Sequence, residues 1–132
     1  MMRFVPLTLL LAVATPALAE TPLTGAEFDA YATGKTLTYA VGGEVYGIEQ
    51  YLPNRRVRWA FVDDTCRIGH WYEDAESICF VYEHDATPQC WMFYLQGGAL
   101  TARFMSDPPS TELKELSQTD APLACSGPDI GV

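Results

Sequence analysis

Two histidines, four cysteines and seventeen carboxylates bound the chemistry open to this chain of 132 residues. Nucleophilic catalysis needs a Ser, Thr or Cys beside a base held in the right tautomer. The only imidazoles are His70 and His84, and no G-x-S-x-G is present. A small hydrolase would therefore rest on His70 or His84 with a nearby carboxylate. His70 sits between Gly69 and Trp71, where a solvent-facing imidazole beside aromatics is the ordinary reading. His84 lies in a turn with Glu83 and Asp85, at the same end of the expected sheet as the turns holding Asp63-Asp64 and Gly42-Gly43. Asp63, Asp64 and Asp85 could offer oxygens to calcium, and His84 would admit a transition metal. Solvated acidic turns are commoner, because Asp favours turns for backbone reasons, and no EF-hand spacing occurs. Glu44 and Glu49, with other carboxylates, would serve as a glycosidase pair only at a defined separation within a cleft. Met92 and Met105 stand apart, as methionines filling apolar gaps do. No motif implies a cofactor.

The aromatic residues are the stronger lead. Trp59, Trp71 and Trp91 are joined by Tyr46, Tyr51, Tyr72, Tyr82 and Tyr94, and Tyr and Trp favour places where one end is buried and the other meets water or a partner. Core packing explains most of them. The functional alternative is a barrel mouth or exposed sheet face lined by Trp71, Tyr72, Trp91 and Tyr46, holding a small apolar ligand or another envelope protein.

These side chains need a scaffold, and the cysteines indicate where it works. Arg3, the apolar run Phe4 to Val13 and the small-residue stretch Ala17-Leu18-Ala19 follow the three-part order of a secretory signal peptide. The run is too short to span a bilayer, which takes about 20 residues. Cleavage is expected after Ala19, leaving residues 20–132 as one domain without a transmembrane segment, in the periplasm or secreted. All four cysteines fall in that part, and an even number in an exported chain implies disulfides. A thiolate metal site would need close pairs such as C-x-x-C, and none exists. Of three possible connectivities the preferred one joins Cys79 to Cys90 across a predicted hairpin, which leaves Cys66 for Cys125. The formal charge of −9 makes nucleic acid and anionic membranes poor partners.

Thr24-Gly25-Ala26-Glu27 has the form of a capping box, so a helix is expected from Gly25 to Thr33, burying Phe28, Tyr31 and Ala32 and ending at Gly34. From Thr36 to Ser106 the chain reads as about seven strands: Thr36 to Val41, Val45 to Tyr51, Arg56 to Val62, Cys66 to Glu73, Ile78 to Glu83, Cys90 to Gln96 and Leu100 to Ser106. Short turns make neighbours antiparallel, so the fold class is mainly β, an up-and-down meander curled into a small barrel or half-barrel. Alternation puts Val57, Trp59 and Phe61 on one face. The fifth and sixth strands are apolar on both faces, which calls for a cover on each side. Residues 107–132 are expected to form a mostly irregular, disulfide-pinned tail, with one or two helical turns from Ser110 through Leu116.

Leu23-Thr24-Gly25-Ala26-Glu27, Gly34-Lys35-Thr36, Gly69-His70-Trp71, Ile78-Cys79-Phe80 and Cys90-Trp91 occur in that order. The chain thereby resembles a group of small exported alphaproteobacterial proteins with the pattern LTGAE, GKT, G-x-W, C, C. The resemblance covers about the first two thirds of the part after Ala19 and implies a capped helix, a compact meander and export. It supplies no catalytic residue, cofactor or substrate. Where that group often has Pro-Asp-Gly before the third strand, this chain has Pro53-Asn54-Arg55, and Cys66 and Cys125 lie outside the pattern.

Overall fold

The structure, a computed structural model, describes residues 1, 11–13, 20–62, 65–105 and 111–125. The expected cleavage position after Ala19, and Asp63, Asp64 and Ser110, lie outside the described residues. One helix, α1 (Gly25–Ala32), precedes eight strands: β1 (Thr36–Val41), β2 (Glu44–Leu52), β3 (Arg56–Phe61), β4 (Arg67–Asp74), β5 (Ser77–Tyr82), β6 (Asp85–Gln96), β7 (Ala99–Phe104) and β8 (Glu112–Thr119). They form a closed up-and-down barrel in sequence order, with β8 pairing back onto β1 through contacts such as Thr36 with Thr119. The meander expected from the sequence is thus a complete barrel with one more strand than its turns announced. Glu112–Thr119 is that strand, where helical turns and an irregular tail were expected. Pairing with both β1 and β7 gives its backbone N–H and C=O groups partners on two sides, which one or two helical turns on a surface would not.

Eight strands give a barrel interior just wide enough for side chains to fill. Leu37 and Tyr39, Glu49 and Tyr51, Val57 and Trp59, Ile78 and Phe80, Phe93, Leu100 with Ala102, and Leu113 are all buried, following the period-two alternation that turns every second residue inward. One end is stoppered by α1. Its Phe28, fully buried, meets Tyr51, Trp71, Phe80 and Phe93 at ring-centroid distances of 4.5 to 6.3 Å.

The stopper is short and is held by polar bonds at both ends. Thr24 and Glu27 make both bonds of the expected capping box, and the Glu73 carboxylate accepts from the Gly25 N–H. Leu23 N–H donates to the Phe93 carbonyl at 2.7 Å and Gly34 N–H to that of Tyr51 at 2.9 Å. The Tyr31 hydroxyl donates to Glu115 at 2.7 Å, and burial with that carboxylate beside it pushes the phenol up to about 12.

Both disulfides take the preferred connectivity. Cys79 and Cys90 face each other across β5 and β6, bridging the outer side of the doubly apolar strands. Cys66–Cys125 anchors the segment after β8, which crosses the outside of β1 to β3. Along it the Ala121 carbonyl accepts from Thr36 Oγ1, Leu123 N–H donates to Gln50 Oε1, and Arg58 donates to Cys125 Sγ.

Candidate ligand-binding site

The barrel is filled at the α1 end and hollow at the other. A cavity of about 70 Å³ opens between the β1–β2 and β5–β6 turns. Since a polar site of roughly 10–15 Å³ accommodates one water, the hollow takes several waters or a small organic group. Tyr39, Tyr51, Phe80 and Phe93 lie around its walls, with Tyr46, Trp59, Phe61, Tyr82 and Trp91 and the small Ala102. At the mouth Tyr46, Trp59 and Phe61 form a ring cluster with centroids 5.3 to 5.8 Å apart.

Local backbone features put these rings there. The pairing of β1 with β2 skips a residue between Tyr39 opposite Gly47 and Ala40 opposite Val45. Tyr46 is the extra residue of this bulge. Bulges re-aim a side chain, and this one brings Tyr46 to the cavity although its neighbour Gly47 is inward by alternation. Two buried glycines make room for rings. A Cβ on Gly47 would lie 2.4 Å from the Trp59 ring, and one on Gly69 would lie 2.7 Å from that of Tyr82. Tyr82, seated over Gly69, reaches across to donate its hydroxyl to Glu49 Oε1 at 2.9 Å.

Glu49 is the feature that the aromatic count does not reveal. It is 2 % exposed, and among the described residues its Oε2 has no hydrogen-bond partner. Burial pushes its carboxyl well above the ordinary value, with the Tyr82 hydroxyl pulling weakly the other way. Tyr39 and Tyr51 share a hydroxyl–hydroxyl bond of 2.8 Å and, like Tyr82, are raised well above the usual phenol value, chiefly by burial. No Lys or Arg is among the lining residues. The lining therefore offers aromatic faces, neutral hydroxyls, the Gln89 amide, the His84 imidazole at the rim and one carboxyl with an open oxygen.

Of the residues singled out from sequence, Tyr46 and Trp91 stand in the cavity wall. Trp71 points inward too, but at the α1 end, under Phe28 at 5.1 Å and beneath the Arg55 guanidinium at 4.5 Å. Tyr72, the next residue in β4, is half-buried and pairs with Cys79. His70 is exposed, opposite Val81 and Arg56. His84 is exposed at the rim, 6.2 Å from the Tyr82 ring. Among the described residues neither histidine hydrogen-bonds a carboxylate, and no group of three His, Cys, Asp or Glu is placed to hold a metal. Asp85, next to His84, accepts from Thr87 N–H at 2.9 Å, and this bond holds its carboxyl below the usual range. Glu49, Trp59, Phe61 and Tyr82 complete the site. Alternation carried the signal for each of them, since all are inward positions of β2, β3 and β5.

No family model, curated protein or solved structure matches the chain.

Proposed function

We propose that this chain is an exported, non-enzymatic binding module of the cell envelope that takes a small, largely apolar molecule into the open end of its barrel. The observation that carries this reading is the hollow beside a filled half. The same barrel packs Phe28 tightly on Trp71 at one end, against Phe80 and Phe93 where the hollow begins, and leaves about 70 Å³ empty at the other. Rings as large as those at the mouth could close over the space, and instead they frame an entrance. Ligand sites are concave and mostly apolar, with a few placed polar groups to fix orientation, and the cavity has that make-up.

Export is supported by the two formed disulfides, which persist in oxidising compartments. No helix of the described residues is long and apolar enough to cross a membrane.

The test is a fragment screen read by tryptophan emission and by side-chain NMR. Trp59 and Trp91 border the cavity while Trp71 is packed under α1. Binding should shift emission and perturb cavity residues without touching Trp71. Ala102, 1 % exposed in the wall, supplies the control. Ala102→Leu fills the hollow, so the variant should stay folded and lose binding by roughly tenfold or more, at a packing cost of no more than about 1–3 kcal/mol. Ligands that perturb Trp71 and the outer strands equally, or bind the filled variant as well as the parent, would place binding elsewhere.

A further inference from the structure

Resting on the reading of the cavity as a ligand site, we infer that its ligand is a small organic cation with N–H donors, a primary or secondary ammonium group that enters the aromatic mouth and bonds the free Oε2 of Glu49. Three observations converge on this class. First, a carboxyl group 2 % exposed keeps one oxygen without a partner in the wall of a cavity. Natural interiors satisfy such atoms, so a ligand that supplies a donor there completes the site. The other oxygen is already taken by Tyr82.

Second, the walls select by charge. With no Lys or Arg lining the cavity and His84 only at its exposed rim, an anionic group entering it would meet π faces and no fixed cation to pair with. For a cation the same faces are favourable. Ammonium groups are attracted to the faces of Trp, Tyr and Phe, more strongly where water is excluded, and Tyr46, Trp59, Phe61 and Tyr82 border the path to Glu49. Third, the whole chain carries a formal charge of −9, which raises the concentration of small cations near its surface. The volume suits an aminomethyl head with a short chain, the remainder lying in the mouth.

The experiment titrates the full chain with n-butylamine, with 1-butanol as a neutral analogue of equal heavy-atom count and with butyrate as an anionic analogue one heavy atom larger, reading Trp emission and calorimetric heat at neutral pH. Butylamine should bind at least roughly tenfold tighter than butanol, and butyrate should not bind. Truncating one partner of a buried charge pair commonly costs upward of roughly 30-fold in affinity. Glu49→Gln, which keeps the shape but has no proton to give up and so cannot face the ammonium as a carboxylate, should cost butylamine that much and leave butanol within about threefold, so that the preference for the amine disappears. Because a buried substitution can disturb the fold, Tyr82→Phe serves as the second variant. It leaves Glu49 in place with both oxygens free and should retain the preference for the amine.

Equal binding of butanol and butylamine, or an amine preference that survives Glu49→Gln, overturns the inference while leaving the cavity as a site for neutral ligands. Butyrate as the tightest of the three overturns it in favour of an anion site. If fragments of any charge fail to perturb Trp59 and Trp91, the cavity reading falls and the inference with it.

Discussion

Glu49 concentrates the electrostatic cost of the interior in one side chain. Burial raises its carboxyl above the ordinary value of 4.5, so from that pH upward the native chain holds a proton that the unfolded chain has released. The sign follows from linkage. Stability contributed by the protonated native form is complete below about pH 4.5 and is lost as pH rises toward the native value, at about 1.4 kcal/mol per pH unit for one proton. Urea unfolding at about pH 4 and about pH 7 should show the ligand-free protein losing stability relative to Glu49→Gln. A difference between the two proteins that does not change with pH would mean a solvated carboxyl. The residue was half legible in the sequence. Alternation from Tyr51 puts Glu49 inside, but charged residues are almost never fully buried unless paired, and that prior sends a lone carboxylate to the surface. Trp71 and Trp91 show a complementary limit. Both point inward, and what separates a core ring from a cavity ring is its height along the barrel relative to α1, a distance that strand periodicity does not contain.

Among the elements, β1 to β7 announced themselves through turn residues and aromatic or β-branched runs. β6 begins at Asp85, well before the expected Cys90, because irregular pairing near Pro88 lets the hairpin continue past a residue that ordinarily stops a ladder. β8 did not announce itself. Glu-Leu-Lys-Glu-Leu-Ser-Gln-Thr has one buried residue, Leu113, and its two leucines stand at helical spacing. Its conformation is imposed by the open edges of β1 and β7 on either side, so it is a tertiary decision. The glycines of β2 and β4 act at the same scale. Ala at 69 would bring a Cβ within 2.5 Å of the Val81 carbonyl oxygen as well as against Tyr82, and backbone has little freedom to yield. Gly69→Ala should destabilise by about 1–3 kcal/mol and, by displacing Tyr82, weaken its bond to Glu49. Urea unfolding with NMR of the Tyr82 ring would check both. A variant of parental stability with Tyr82 unmoved would mean that β4 and β5 separate more easily than their pairing implies.

For the whole molecule, the two disulfides do different work. Cys79–Cys90 closes 11 residues within one hairpin, whereas Cys66–Cys125 spans 59 and ties the segment after β8 across the outside of β1 to β3. On chain entropy the first contributes about 3 kcal/mol and the second about 4 kcal/mol. Replacing Cys66 and Cys125 together by Ser should therefore lower the unfolding midpoint more than replacing Cys79 and Cys90, as calorimetry would show; the reverse order would place the larger effect in native packing on the outer face. The closed seam also limits how this protein can meet others. With β1 bonded to β2 and β8, and β8 to β7, the barrel has, among the described residues, no edge strand whose row of spare N–H and C=O groups would invite another chain to add itself to the sheet. Backbone templating, a common route both to peptide capture and to aggregation, is thereby closed off along the seam. Along that seam, a macromolecular partner would have to recognise side chains on the barrel wall.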